Sequence, residues 1–380
     1  MSSPELVPRR GATLQPRHFV VIAPAFLASI VTVLTLGASL SVEPSARGRQ
    51  AVAPQGTERR AAPIARVTIT ATGDIALGRD GVLPSDGATL FSAVRPLLTG
   101  DIVLGNLETA LTTAGKSKCG AGRPNCFAFR APPSSARALR NAGFTVLNLA
   151  NNHSFDYGPE GERETVAALE RFALRHTGRP GEIGRERVGR VRVAVLGFAP
   201  YPWAQDLLDI PGAQHLVREA DAAADLVVVT MHAGAEGADH TDVAAGPETY
   251  LGEPRGEVVA FAHGVVDAGA DLVVGHGPHV LRGAEWYRGR LIAYSLGDFA
   301  GHHNFSVAGP LGTSAILRVT LRPDGSWIRG KLVATRLVGA GEAVLDPAGA
   351  AHDVVRTLSR EDFGPRGIRV APGGRLLPPA

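Results

Sequence analysis

Short runs of β-branched and apolar residues recur along the chain from Val67 onward. They are VTITA (67–71), DIVLGN (101–106), FTVLNLA (144–150), RVAVLGF (192–198), DLVVVTM (225–231), DLVVGH (271–276) and LIAYSL (291–296). Between them lie stretches with apolar residues at helical spacing, such as PSSARALRNAG (133–143) and PEGERETVAALERFALRH (159–176). Near-continuous apolar strands alternating with helices predict an α/β domain whose sheet is covered on both faces. Beyond Gly312 the pattern changes to strand-like runs without helices, TSAILRVTL and WIRGKLVATRL, expected to finish a sheet edge or to form a second sheet. Residues 351–380 are read as a C-terminal helix and tail, and the Pro/Gly-rich end from Gly364 is expected to fray.

The chain before Val67 has a different character. Arg9, Arg10 and Arg17 precede an uncharged stretch from Phe19 to Val42, beginning FVVIAPAFLASIVTVLTLGASL. About 20 apolar residues span a bilayer, whereas the apolar core of a cleaved signal peptide has about 7–15. The pattern predicts a cytoplasmic N-terminus over 1–18 and an uncleaved transmembrane signal anchor over 19–42. The arginines stay inside, which puts the rest of a single-pass protein on the extracytoplasmic side of the cell membrane. Pro24 is compatible with a membrane helix. Residues 43–66 are polar and rich in Ala, Pro and Arg without apolar periodicity. They read as a flexible linker to a domain over 67–350.

Composition narrows the function classes. The 39 basic and 36 acidic side chains nearly balance, aromatics make up 6% and no basic patch is interleaved with aromatics, so a stacking platform for nucleic acid is not expected. The two cysteines sit in CGAGRPNC (119–126). In an extracytoplasmic protein such a pair reads as a local disulfide; two thiols with no neighbouring His or second Cys pair do not complete a metal site.

Polar, metal-competent residues follow the strands at once. Strand 67–71 runs into Thr72-Gly73-Asp74, and 101–104 into Gly105-Asn106-Leu107-Glu108. Strand 144–150 ends in Asn151-Asn152-His153, 225–231 in His232, and 271–274 in Gly275-His276-Gly277-Pro278-His279. In open α/β sheets the carboxyl ends of strands line the ligand crevice. Each residue alone is weak, since an Asp after a strand is commonly a cap or turn former. Joint placement at one rim is what points to a site. Mixed oxygen and imidazole ligands suit divalent Mn, Fe or Zn, and enough are present for two ions.

The motifs GDIALGR (73–79), GNLETALT (105–112), NLANNHSFDYG (148–158), HAGAE (232–236) and GHGPHVLRGAEWYRGRLIAYSLGDF (275–299) occur in an order that resembles the CapA family of capsule and poly-γ-glutamate synthesis proteins. That resemblance implies a metallophosphatase-like (calcineurin-like) fold of sheet and helix layers. It implies metal ligands at Asp74, Glu108, Asn152, His232, His276 and His279, with His153 as a non-ligating catalytic acid. Arg79 and Glu236 would face the substrate or support the ligands. Arg79, Arg130 and Arg282 also offer forked donors for carboxylate or phosphate, or equally for surface ion pairs.

The chain departs from the metallophosphatase pattern in several places. Ala76 stands where a ligating His is usual, Glu108 where an Asp is usual, and two residues rather than one separate His276 from His279. Ala233 and Gly237 replace aromatic positions common in CapA proteins, and YSLGDF carries Asp298 where YSLGNF is common. The implied partners are an anionic extracellular polymer (poly-γ-glutamate or a capsule component), the membrane and other membrane synthase subunits, with no nucleic acid. Two roles follow: a metal-dependent hydrolase or transferase acting on the polymer or its phosphorylated carrier, or a non-catalytic polymer-binding component of a synthase complex.

Overall fold

The computed structural model describes residues 65–79, 83–120 and 126–379. Residues 1–64 lie outside them, and with them the expected cytoplasmic segment, the anchor and nearly all of the linker. Among the described residues no helix is long and apolar enough to cross a membrane.

The fold is mixed α/β, and its strands build two main sheets rather than one. The larger has ten strands. One side of it, out to the edge, is a parallel run of Val67–Ile75, Ile102–Leu107, Val146–Asn148 and Arg175–Thr177. The smaller has six strands, with Val191–Phe198, Leu226–His232, Leu272–His276 and Arg290–Ala293 again parallel.

The reason for two sheets is legible in the alternation of side chains. Val193 and Val195 join an apolar cluster shared with Val67, Ile69, Ile102 and Val146 of the larger sheet. Their neighbours Ala194 and Leu196 point the other way, onto Val217 and Phe261 of the helices Ile210–Ala223 and Val258–Asp267. Val103 and Leu147 of the larger sheet likewise face outward, toward Leu139 and Leu169 of the helices Ala136–Ala142 and Gly158–Arg171. Each sheet is therefore covered on both faces as expected, but one cover is the other sheet. Burying a Val, Leu or Ile is worth about 1.5–3 kcal/mol, so exposing one face of a four-residue strand would forfeit about 3–6 kcal/mol.

Two expectations are corrected. The runs after Gly312 form neither an edge nor a separate sheet: Thr313–Leu321 pairs antiparallel with Val67–Ile75, and Trp327–Val338 pairs with it in turn. Their apolar residues are buried on both faces, which only an interior strand satisfies. The end from Gly364 does not fray. Arg369–Val370 and Arg375–Leu377 pair with each other and, through the latter, with Trp327–Val338, and bury Val370 and Leu376 in the inter-sheet core. The helix Ala350–Phe363 adds Ala351 and Val355 to the same core.

Gly73 explains how Asp74 reaches the end of its strand. The register between Val67–Ile75 and Ile102–Leu107 shifts between Ala71 and Asp74. There the backbone closes on the Gly297 turn, with Asp74 N–H donating to Gly297 O at 3.0 Å. A Cβ on Gly73 would lie 1.8 Å from that carbonyl oxygen. Gly73→Ala should therefore destabilise the protein by about 1–3 kcal/mol, read as a lowered midpoint in chemical denaturation; an unchanged midpoint would show that the two backbones are free to part.

A candidate metal centre between the sheets

Register puts the polar strand ends in two facing rows. In the larger sheet Asp298, Asp74, Asn106 and Asn148 are successive cross-strand partners. In the smaller, His232 pairs with His276. The loops just beyond carry Glu108, Asn151–His153, Gly234–Glu236 and Gly277–His279. His279 holds a left-handed backbone (φ 61°), rare outside glycine, which turns its ring back toward the rows.

One buried amide organises the larger-sheet side. Asn106 Nδ2 donates to Asp74 Oδ1 (2.8 Å) and lies 3.1 Å from His232 Nδ1. Its Oδ1 accepts from Asn148 Nδ2 (2.9 Å) and Asn151 Nδ2 (3.1 Å). Gly277 N–H donates to Asp74 Oδ2 at 3.1 Å. Around this hub His276 Nδ1 is 3.4 Å from Asp74 Oδ1, and His279 Nδ1 is 3.3 Å from Asp74 Oδ2 and 2.8 Å from Asp298 Oδ1. Glu108 Oε1 lies 3.5 Å from His232 Nε2 and its Oε2 lies 4.0 Å from His279 Nδ1.

Four buried side-chain atoms of the cluster have no hydrogen-bond partner, both oxygens of Glu108 and both ring nitrogens of His276, and Asn152 Oδ1 in the adjoining loop has none either. An unpaired buried polar group costs about 1–3 kcal/mol, and more when charged. The four of the cluster are hard oxygens and imidazole nitrogens beside the carboxylates of Asp74 and Asp298, the donor set that divalent cations of the Mn, Fe or Zn type prefer. The residues present thus fit a metal. The tightest subset of acid and imidazole groups is Asp74, His279 and Asp298, whose ligand atoms lie within 4.8 Å of one another.

The electrostatics of the cluster agree. Burial pushes the Glu108 carboxyl well above its ordinary range, reinforced by the Asp74 charge. Burial likewise pushes Asp298 up to about 7 against the pull of His279. Burial would also raise Asp74, but the imidazoles of His276 and His279 outweigh it and hold that carboxyl well below the usual range. Burial would lower His279, yet the carboxylates of Asp298 and Glu108 outweigh it and hold the ring protonated. His232 is kept neutral by burial and then by the Arg255 guanidinium.

The sequence-predicted residues fall into three groups. Asp74, Glu108, His232, His276 and His279 are brought together, and Glu236 touches the rim with Oε2 3.7 Å from His279 Nε2. Asn152 lies in the adjoining loop, beside Asn151, which is bonded to Asn106. His153 stands off the cluster: its Nδ1 is 2.8 Å from Asp156 Oδ2, and its ring stacks on Phe129 at 4.1 Å. Phe129 N–H donates to the same Asp156 oxygen at 2.6 Å, and Lys118 Nζ lies 2.6 Å from the other. The expected disulfide joins Cys119 to Cys126, between Lys118 and Phe129, and so staples the segments that hold Asp156.

Arg79 makes no contact with the cluster. It is exposed and lies 5.8–5.9 Å from the rings of Phe127 and Phe129, one ring removed from His153. Arg130 lies over Tyr157 at 4.6 Å. Arg282 is not available to a substrate; it is buried and bidentate to Glu248 (2.9 and 2.8 Å).

Sequence reading named Asn106 at its strand end and Asp298 in YSLGDF without giving either a place in the site, and it passed over Asp156 and Arg255. Asp156 had a signal, an acid three residues after His153, and Asp298 follows a strand as Asp74 does. Arg255 had none. It is buried, donates to Gly234 O (2.8 Å) and Tyr201 OH (2.7 Å), pairs with Glu236 (2.8 Å) and reaches His232 Nε2 at 3.4 Å.

The model of the family described as "Bacterial capsule synthesis protein PGA_cap" matches residues 68–303, a span that contains the whole cluster. The chain belongs to this family. It is 34% identical over 288 residues to the "Capsule biosynthesis protein CapA" of Bacillus anthracis, covering 69% of this chain and 66% of that protein. It is 32% identical over 252 residues to the "PGA biosynthesis protein CapA" of Bacillus subtilis, covering 60% and 61%. The PGA_cap chain thus spans just under two thirds of the length of these curated relatives. Among solved structures it is similar to a 5'-nucleotidase precursor from Thermus thermophilus, with a TM-score of 0.40 and 15% identity, covering 78% of this chain and 59% of that one.

A cation bound among these groups displaces their protons, so affinity should follow pH. Because Glu108 and Asp298 are raised and must be ionised to bind, Mn²⁺ or Zn²⁺ affinity should rise at least about tenfold from pH 6 to pH 8, with proton uptake on chelation. The sign for folding is opposite. Raised carboxyls hold protons that the unfolded chain releases, so metal-free protein should lose stability as pH rises through about 7. Calorimetric titration at the two pH values checks the first statement, and thermal melts of the chelated protein the second; pH-independent affinity would contradict the assignment.

Proposed function

We propose that this chain is a membrane-anchored, extracytoplasmic protein of capsule or poly-γ-glutamate synthesis and export. Its metallophosphatase-like domain would be a metal-dependent hydrolase or transferase acting on the anionic polymer or its phosphorylated carrier. The observation that carries the catalytic part is the set of unpartnered buried ligand atoms on Glu108, Asn152 and His276. Family membership supports the polymer context, the curated relatives being named for capsule and PGA biosynthesis. The apolar segment 19–42 behind its arginines supports the anchor, and the Cys119–Cys126 disulfide supports an oxidising compartment.

Asp74, Glu108, Asn152, His232, His276 and His279 would hold one or two divalent ions, with Asp298 as a further carboxylate. A bound divalent ion supplies a Lewis acid that polarises a carbonyl or phosphoryl oxygen and makes bound water more acidic. The chain's own residues do the rest. Asn106 and Gly277 fix Asp74, and Arg255 fixes Glu236 against the His279 edge. Asp156 holds His153 by Nδ1 and thereby frees Nε2 to exchange a proton with a reacting oxygen or nitrogen. Burial lowers the His153 pKa against the opposing pull of Asp156, so the ring rests neutral and takes up a proton before giving it to a leaving group.

Turnover of a generic phosphodiester and of γ-glutamyl polymer by the purified protein, alongside its metal content, tests this reading. Asp74→Ala should lose metal and activity together. His153→Ala should keep its metal while kcat falls by about 10²–10⁴-fold. Metal bound without turnover of either substrate would favour the polymer-binding component, and full activity after chelation would overturn the metal-dependent mechanism.

A further inference from the structure

The richest run of basic side chains lies away from the metal centre. Between residues 175 and 192 there are six arginines and two glutamates. The strand Gly184–Val188 closes one edge of the smaller sheet, and its Arg185 and Arg187 point to one face about 6.8 Å apart. Register sets Arg187 directly opposite Arg192, and Arg185 opposite Ala194. Ala194 packs under the helix Ile210–Ala223, so the three guanidinium groups emerge beside the C-terminal end of that helix. Arg175 joins them from the edge of the larger sheet, and together they line a cavity of about 380 Å³ floored by Ala220, Ala223 and Ala224.

Like charges directly opposite on a sheet are destabilising, so the Arg187–Arg192 pair is a local cost that folding does not require. The protein offsets only part of it. Asp225 takes Arg192 in two contacts (2.7 and 3.2 Å), and Glu186 lies 3.6 Å from a largely exposed Arg175. Arg185, Arg187 and Arg190 are exposed and make no ion pair among the described residues. Charges that guard an edge strand against aggregation need only crowd its open side; a cross-strand arginine pair above a floor of small residues makes a groove.

We propose that this groove binds a stretch of linear polycarboxylate, the anionic polymer of the function proposed above, on which it rests. Guanidinium forks match carboxylates in bidentate geometry. No aromatic side chain lines the groove to stack a base, and no large apolar side chain projects from it to enter a bilayer, which disfavours nucleic acid and membrane. Arg192 is the second residue of Val191–Phe198, whereas the metal centre follows the far ends of the parallel strands. The groove therefore holds the chain roughly 20 Å from the reacting end, as a remote grip.

Fluorescence anisotropy with labelled poly-γ-glutamate and the whole protein, at low and high salt, tests the groove. Wild type should bind in a salt-sensitive manner. The double variant Arg185→Gln/Arg187→Gln should bind about tenfold more weakly with a melting temperature no lower than wild type, and Arg187→Glu should bind more weakly than Arg187→Gln. Arg329→Gln, an exposed arginine on the strand Trp327–Val338, should bind as wild type does. Binding that survives the arginine substitutions overturns the groove and leaves the polymer reading standing, while a wild type that binds no polycarboxylate overturns that reading itself. Equal binding to polyphosphate or to phosphatidylglycerol vesicles, lost in the same variants, overturns the choice of a polycarboxylate.

Discussion

Three carboxylates buried at the ends of the larger sheet have to be compensated, and the rest of the site is arranged around that requirement. Asp74, Glu108 and Asp298 are at most 1% exposed, and each has an oxygen within 4.0 Å of His279 Nδ1. Desolvated like charges of this kind are tolerated only when protonated, paired or bound to a cation. The protein supplies part of the compensation itself. Asn106 and Gly277 donate to Asp74, and His279 shares a proton with Asp298. The Glu108 carboxylate has no hydrogen bond among the described residues, which is why a cation is the simplest completion of the cluster.

Precision at this point comes from backbone rather than from long side chains. The two sheets face each other across an apolar core, so their parallel strands end on facing rims. The slipped register after Ala71, the close approach of Gly73 to Gly297 and that of Gly275 to Tyr294 then fix where each side chain begins. Behind the rim a second set of residues holds the site's side chains in place: Arg255 beside His232 and Glu236, and Asp156 beside His153. Both are buried and hydrogen-bonded on several sides, so either substitution would disturb orientation without removing a ligand.

Much of this was legible in the sequence, for identifiable reasons. Runs such as DLVVVT and DLVVGH are apolar on both faces, so their strands had to be interior. The residue after the last apolar position had to sit at the strand end, which placed Asp74, His232 and His276 together. The sequence could not show which surface would cover each face. An inward-facing valine reads the same whether a helix or a second sheet lies above it, and so the sandwich and the interior position of Thr313–Leu321 were not foreseen. Arg255 was invisible because its role depends on a fold-back of the loop after His232, and Arg282 was left between a substrate donor and an ion pair because a paired arginine and a substrate-facing one share the same local pattern.

The chain belongs to the family described as "Bacterial capsule synthesis protein PGA_cap", and the geometry adds buried ligand atoms between the sheets that a cation would satisfy. Crystals grown with Mn²⁺ and measured at a wavelength where manganese scatters anomalously test for that cation most directly. The account predicts an anomalous peak inside the cluster, in contact with Glu108 and His276 and absent from crystals grown with a chelator. A cluster with no peak, with Glu108 and His276 bonded instead to water or to protein groups, would contradict it.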